Sequence, residues 1–139
     1  MSSSITHFTV DHGCCNEEEL TVLDLSAMKE LTVFETCTNC FEKVKTFRVI
    51  GLEKLERVAV GSYCFIPSST EEEPCSFHVK DCIALKELKI GVFSFTVYSV
   101  CEIVNVPILE VIEMGDTHVF SGNFTFADLA LNRCKGRLA

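Results

Sequence analysis

Apolar side chains recur along this chain in a fixed order. Leu85 to Phe95 reads L-K-E-L-K-I-G-V-F-S-F, apolar at its first, fourth, sixth and eleventh positions. Leu55 to Phe65, L-E-R-V-A-V-G-S-Y-C-F, has the same order. Leu31 to Phe41 follows with one polar member, Thr36; Leu109 to Val119 follows with Met114 and Gly115 in register; Ile5 to Cys15 follows more loosely. The units start at residues 5, 31, 55, 85 and 109, so the spacings are 26, 24, 30 and 24.

Aligned, the units form columns. The first is Ile5, Leu31, Leu55, Leu85, Leu109; the fourth is Phe8, Phe34, Val58, Leu88, Ile112. The sixth is Val10, Thr36, Val60, Ile90, Met114, and the eleventh is Cys15, Phe41, Phe65, Phe95, Val119. Three more columns precede each unit: Leu23, Phe47, Phe77, Cys101; Leu25, Val49, Val79, Ile103; and Met28, Leu52, Cys82, Val106. Each unit thus supplies two stretches of alternating polarity, such as Phe47-Arg48-Val49 and Val58-Ala59-Val60, the pattern of a strand with one buried face. Stacked units pair these strands in parallel, and identical columns become the ladders of the core. Gly51, Asp81 and Asn105 mark the turn before each first column, and Gly61, Gly91 and Gly115 a bend after the short strand. Only Asn16 to Leu31 has moderate helical spacing, so little helix is expected.

This pattern resembles the leucine-rich repeat superfamily, in particular its BspA-like branch, which favours Ile-Gly and then a small residue before Phe. The L-x-x-L-x-I-G-x-x-S-F of Leu85 to Phe95 and its copies carry the likeness, over roughly residues 5 to 126. The asparagine common in such repeats stands only at Asn39; Tyr63, Phe93 and Thr117 take its place. The resemblance implies a β-rich solenoid, a right-handed α/β-type superhelix with little or no helix, built on parallel β ladders of about five repeats and used for protein–protein recognition.

Length sets one domain over residues 1–139. Within it, 1–30 is an irregular first repeat or cap, 66–74 a polar, proline-bracketed loop insertion, and 124–139 a truncated last repeat and tail, with Phe124-Thr125-Phe126 and Leu129-Ala130-Leu131 opening a further unit. The array is expected to continue into further repeats in a longer gene product. Twelve Lys and Arg against twenty Asp and Glu leave a net charge of −8, which argues against nucleic acid and anionic lipid. The most apolar window, Val92 to Ile112, holds Glu102, Asn105, Pro107 and Glu110, so no membrane span is expected. The N-terminus lacks a basic start and an apolar run, and with nine cysteines this favours reduced thiols and a cytoplasmic setting, or a surface or secreted one if the chain is a fragment.

Candidate chemistry is sparse. Positions two, three and five of each unit face away from the core. They carry charges of alternating sign, and Glu56, Arg57, Lys86, Glu87, Lys89, Glu110 and Glu113 form the candidate face for a protein or peptide ligand. The same alternation also fixes strand register, so the competing reading is a structural segment of a larger repeat protein with no separate binding activity. A third reading is a cysteine-based metal or redox protein. Cys37-x-x-Cys40 is half a zinc site, but its nearest complement, Cys75-x-x-His78-x-x-x-Cys82, splits between an outward His78 and an inward Cys82. The tenth column, Cys14, Cys40, Cys64, Ser94, His118, calls for a small residue, which cysteine supplies. Ladder stacking makes Cys40 and Cys64 neighbours that mild oxidation joins. No catalytic, cofactor or metal residues are assigned, and the chain is expected not to be an enzyme.

Overall fold

The computed structural model describes residues 5–67, 74–115 and 128–134, and among them no residue is helical. Ten strands follow one another: β1 His7–Val10, β2 Val22–Asp24, β3 Val33–Thr36, β4 Thr46–Ile50, β5 Arg57–Val60, β6 Cys75–Lys80, β7 Glu87–Ile90, β8 Tyr98–Val106, β9 Val111–Met114 and β10 Asp128–Cys134. They sort by parity into two parallel five-stranded sheets, β1-β3-β5-β7-β9 and β2-β4-β6-β8-β10. The chain therefore alternates between sheets at every strand, and each strand pairs with the one two places away.

The register is that of the sequence columns. Phe8, Phe34, Val58, Leu88 and Ile112 are successive partners in the first sheet. Leu23, Phe47, Phe77, Cys101 and Leu129 are partners in the second. Alternation along β3, β5 and β7 buries every second residue, and the inward faces of both sheets feed one core. At about 1.5–3 kcal/mol per buried Leu or Phe, no unit outweighs its own chain entropy, so neighbours must supply the rest. The first unit joins both sheets in register, but Ile5, Phe8, Cys15, Leu23 and Met28 are only half-buried, having a neighbour on one side among the described residues. In the stretch with helical spacing, turns at Leu20 and Met28 flank β2, and pairing of β2 with β4 overrides the local tendency.

The corner after each first-sheet strand is set by backbone. Its ninth and eleventh positions are left-handed: Asn39, Tyr63 and Phe93 at φ 58–59°, and Phe41, Phe65 and Phe95 at φ 55–58°. A left-handed Phe costs about 1–2 kcal/mol, which ring stacking offsets. Phe41 to Phe65 is 5.1 Å and Phe65 to Phe95 4.4 Å, both nearly parallel. Gly61 and Gly91 are required here for a different reason than a bend. Their φ is not positive; instead a Cβ on Gly61 would lie 2.5 Å from the Cys37 carbonyl oxygen, and one on Gly91 2.5 Å from the Ser62 nitrogen. The glycines permit close backbone approach between units. Gly51, Asp81 and Asn105 at the other turn do adopt φ of 54–74°.

Two irregularities are absorbed locally. Thr36, the one polar column member, is 8% exposed; its Oγ1 accepts the Gly61 N–H at 3.1 Å and lies 3.4 Å from Cys64 Sγ. The insertion of 66–74 falls largely on 68–73, outside the described residues. On its far side the β6–β8 register shifts between Cys75 and Ser76, and the buried Tyr98 donates its hydroxyl to the Val44 carbonyl, two units away. Of the tail expected at 124–139, β10 pairs with β8 from Asp128 to Cys134; the remainder lies outside the described residues.

Candidate functional site

The seven candidate residues stand side by side on the first sheet. Arg57, Glu87 and Glu113 lie on β5, β7 and β9, with Lys89 two residues beyond Glu87, all on the outward half of the alternation. Glu56, Lys86 and Glu110 immediately precede these strands and are exposed. Their backbones form a continuous row: Lys86 N–H donates to Glu56 O and Glu110 N–H to Lys86 O, each at 2.9 Å. The row therefore presents minus, plus, minus across three strands.

Ion pairing divides the set. Arg57 bridges both neighbouring strands, with Nη1 3.1 Å from Glu35 Oε2 and Nε 3.2 Å from Glu87 Oε2. Lys89 Nζ reaches the same Glu87 oxygen at 4.0 Å. These half-exposed pairs are worth well under about 1 kcal/mol each, but they hold three strands in register. Glu35 was not singled out by sequence reasoning; its place beside Arg57 on the neighbouring strand was the available signal. Glu56, Lys86, Glu110 and Glu113, by contrast, have no ion-pair partner among the described residues.

The outward face of the second sheet pairs its charges internally. Asp24, Arg48, His78 and Glu102 are successive register partners. Arg48 Nε lies 3.7 Å from Asp24, His78 Nδ1 2.6 Å from Glu102 Oε1, and Lys80 Nζ 3.2 Å from the same oxygen. The Lys80 hydrogen bond, then that of His78, holds the Glu102 carboxyl below its ordinary range. His78 does point outward and Cys82 inward, as the columns require. The His78–Glu102 pair was legible one place along from the Phe77–Cys101 column.

The tenth column is a hydrogen-bonded ladder. Cys40 Sγ donates to Asp11 O at 2.9 Å, Cys64 Sγ to Cys37 O at 3.0 Å and Ser94 Oγ to Gly61 O at 2.6 Å. In return Cys40 N–H donates to Cys64 Sγ at 3.4 Å and Cys64 N–H to Ser94 Oγ at 2.9 Å. Each side chain reaches back to the preceding unit and caps the backbone there. These positions need a small residue that also hydrogen-bonds, which small size alone did not reveal. His118 lies outside the described residues.

Burial pushes the Cys40 and Cys82 thiols up, and Cys101 up to about 12, with Glu102 adding to the last. Thiols so held remain protonated near neutrality and are poor nucleophiles. Among the described residues, no three His, Cys, Asp or Glu side chains converge as metal ligands, and no helix is long and apolar enough to cross a membrane. The first-sheet face can offer surface charge to a partner; the ladder can offer thiols only where it meets solvent. Comparison with protein-family models, with curated proteins and with solved structures finds no match for this chain.

Proposed function

We propose that this chain is a leucine-rich-repeat solenoid of the BspA-like kind, a right-handed superhelix without catalytic site or cofactor, that recognises a protein or peptide through the outward face of its first sheet. The observation that carries the reading is the division within that face. Arg57 and Glu87 are engaged in register-fixing pairs, while Glu56, Lys86, Glu110 and Glu113 stand exposed beside them without ion-pair partners among the described residues. A surface of mixed sign selects its partner by charge pattern, with only shallow salt dependence. The acidic balance of the chain disfavours nucleic acid as that partner.

The Arg57 bridge favours a second reading, in which the face only aligns strands within a larger repeat protein. One experiment separates them. Glu56→Lys, Lys86→Glu, Glu110→Lys and Glu113→Lys are combined in one variant and compared with the parent chain as bait in cognate lysate. A stoichiometric partner retained by the parent and lost by the variant, with melting unchanged, supports recognition. Equal retention by both, or no stoichiometric partner for either, leaves the structural reading standing.

A further inference from the structure

The same four-residue turn precedes each first-sheet strand from β3 to β9. One bond closes each: Leu31 N–H to Met28 O at 3.0 Å, Leu55 N–H to Leu52 O at 3.4 Å, Leu85 N–H to Cys82 O at 3.2 Å and Leu109 N–H to Val106 O at 3.1 Å. The two middle residues of each turn project from the stack, and their polarity changes halfway along it. Lys29-Glu30 and Glu53-Lys54 are charged, and Lys54 Nζ lies 2.7 Å from Glu30 Oε1. Ile83-Ala84 and Pro107-Ile108 are apolar, with Ile83 49% and Ile108 40% exposed. Proline suits a turn, but turn chemistry does not call for isoleucine, and nearly half of each isoleucine is left in water. The two apolar turns lie side by side. Asp81 N–H donates to Val104 O at 3.0 Å on one side of them, and Glu110 N–H to Lys86 O at 2.9 Å on the other. Ala84 and Lys86 flank the inward Leu85, and Ile108 and Glu110 flank the inward Leu109. Residues two apart are within about 7 Å at Cα, so the apolar tips border the row of Glu56, Lys86 and Glu110.

We infer that this edge docks a basic amphipathic α-helix of a partner protein, laid across the layers with its charges on Glu56, Lys86 and Glu110 and its apolar stripe on Ile83 and Ile108. The inference rests on the reading of the first-sheet face as a recognition surface and names the kind of partner. Spacing selects a helix. Layers about 4.8 Å apart spread the three charges over about 9.6 Å. A helix returns side chains to one face every three or four residues, and i to i+7 rises about 10.5 Å. An extended segment returns one about every 6.6 Å and is out of step by the third layer. Charge selects the sign. The row reads minus, plus, minus, and Glu113 stands exposed on β9 beside it. The helix therefore carries Lys or Arg at i, Asp or Glu at i+3 and Lys or Arg at i+7. Its positions i+4 and i+8 lie on the neighbouring stripe and are apolar. A second copy related by a two-fold axis through the row does not fit, because Lys86 would meet Lys86. An anionic membrane does not fit the carboxylates beside the tips.

The test titrates the folded chain into three fluorescein-labelled, alanine-based peptides of equal length and reads anisotropy. The first carries Lys, Glu and Lys at i, i+3 and i+7 with Leu at i+4 and i+8. The second exchanges each of those charges for its opposite. The third is the first with two internal prolines, which keep the charges and prevent the helix. The first should bind about tenfold or more tightly than either of the others. Glu56→Lys/Lys86→Glu/Glu110→Lys should invert the preference between the first two. Ile83→Ser/Ile108→Ser should weaken the first by about tenfold or more, with melting unchanged. No binding of the first peptide, equal binding of any two, or no loss in Ile83→Ser/Ile108→Ser would overturn the assignment, as would a dimer of the chain that the isoleucine variant dissolves. Failure here is separable from failure of recognition itself. A lysate partner lost on charge reversal but kept by Ile83→Ser/Ile108→Ser leaves the face as a recognition surface and removes the helix site from it.

Discussion

The outward face of the first sheet and the corner that follows it are consecutive pieces of the same units, yet they are built to different tolerances. On the face, Arg57, Glu87 and Lys89 meet through long, half-exposed side chains that solvent can replace. At the corner, Gly61 and Gly91 bring one backbone against the next, and Ser94 and Cys64 close the carbonyls and amides left behind. Units are therefore held together by the corner and the core beside it, and the face is left free to vary in charge. That freedom is what the proposed recognition role would use.

Substitutions can break this contrast or sharpen it. Leu88→Asp places an unpaired charge on the fully buried side of β7 and should abolish cooperative melting, a loss above about 4 kcal/mol. Gly91→Ala drives a Cβ into the backbone of Gly61 and Ser62, which cannot yield as a side chain would; a loss of about 3 kcal/mol in denaturant titration is expected. Were this change neutral, the corner would not be the tight element described. Ser94→Ala strands the Cys64 N–H and frees the Gly61 carbonyl, for about 1–3 kcal/mol, while Ser94→Cys should recover most of it because thiols serve at the same place in the two preceding units.

On the face, Arg57→Ala or Lys89→Ala should change stability by less than about 1 kcal/mol. A larger cost at Arg57 would mean that its bridge, and not the corner alone, holds neighbouring units together. The smallest effect belongs to the second sheet. Glu102 has a lowered carboxyl pKa in the folded chain, so its contribution is complete above the ordinary glutamate range and is lost as pH falls through the lowered value. Melting of the parent and of Glu102→Gln, compared from about pH 7 to about pH 3, should converge at the acid end and differ by no more than about 1 kcal/mol at neutrality.

The same contrast marks what the sequence could disclose. Inward and outward positions were legible because alternation and five aligned copies overdetermine them: Leu88 and Lys89 fall where their columns put them. The rows of the charged face followed from the same register. The positions of Gly61 and Gly91 were legible but their reason was not, because closeness between two backbones has no signature in either segment alone. Thr36 breaks the apolar sixth column, yet its hydroxyl accepts the Gly61 N–H of the next unit. Column ten read as small residues, and its directional bonding toward the preceding unit became visible only with coordinates. Pairing of β2 with β4, rather than the spacing within Asn16 to Leu31, decides that stretch.

The reach of Tyr98 to Val44 has a consequence for how the molecule opens. All strand pairing joins nearest neighbours, which by itself would let the stack come apart one layer at a time from either end. Tyr98 starts β8 and its hydroxyl ends on the segment leading into β4, so one bond passes over the layer of β6, where the chain carries its insertion. Its ring meets Phe65 and Phe95 edge-on beneath that bond, and burial leaves the phenol no solvent alternative. The bond ties the two layers that flank β6 to each other as well as to β6. Fraying from either end must break this bond before the layer it spans is freed, which adds about 1 kcal/mol to the cost of stepwise loss at the centre of the chain.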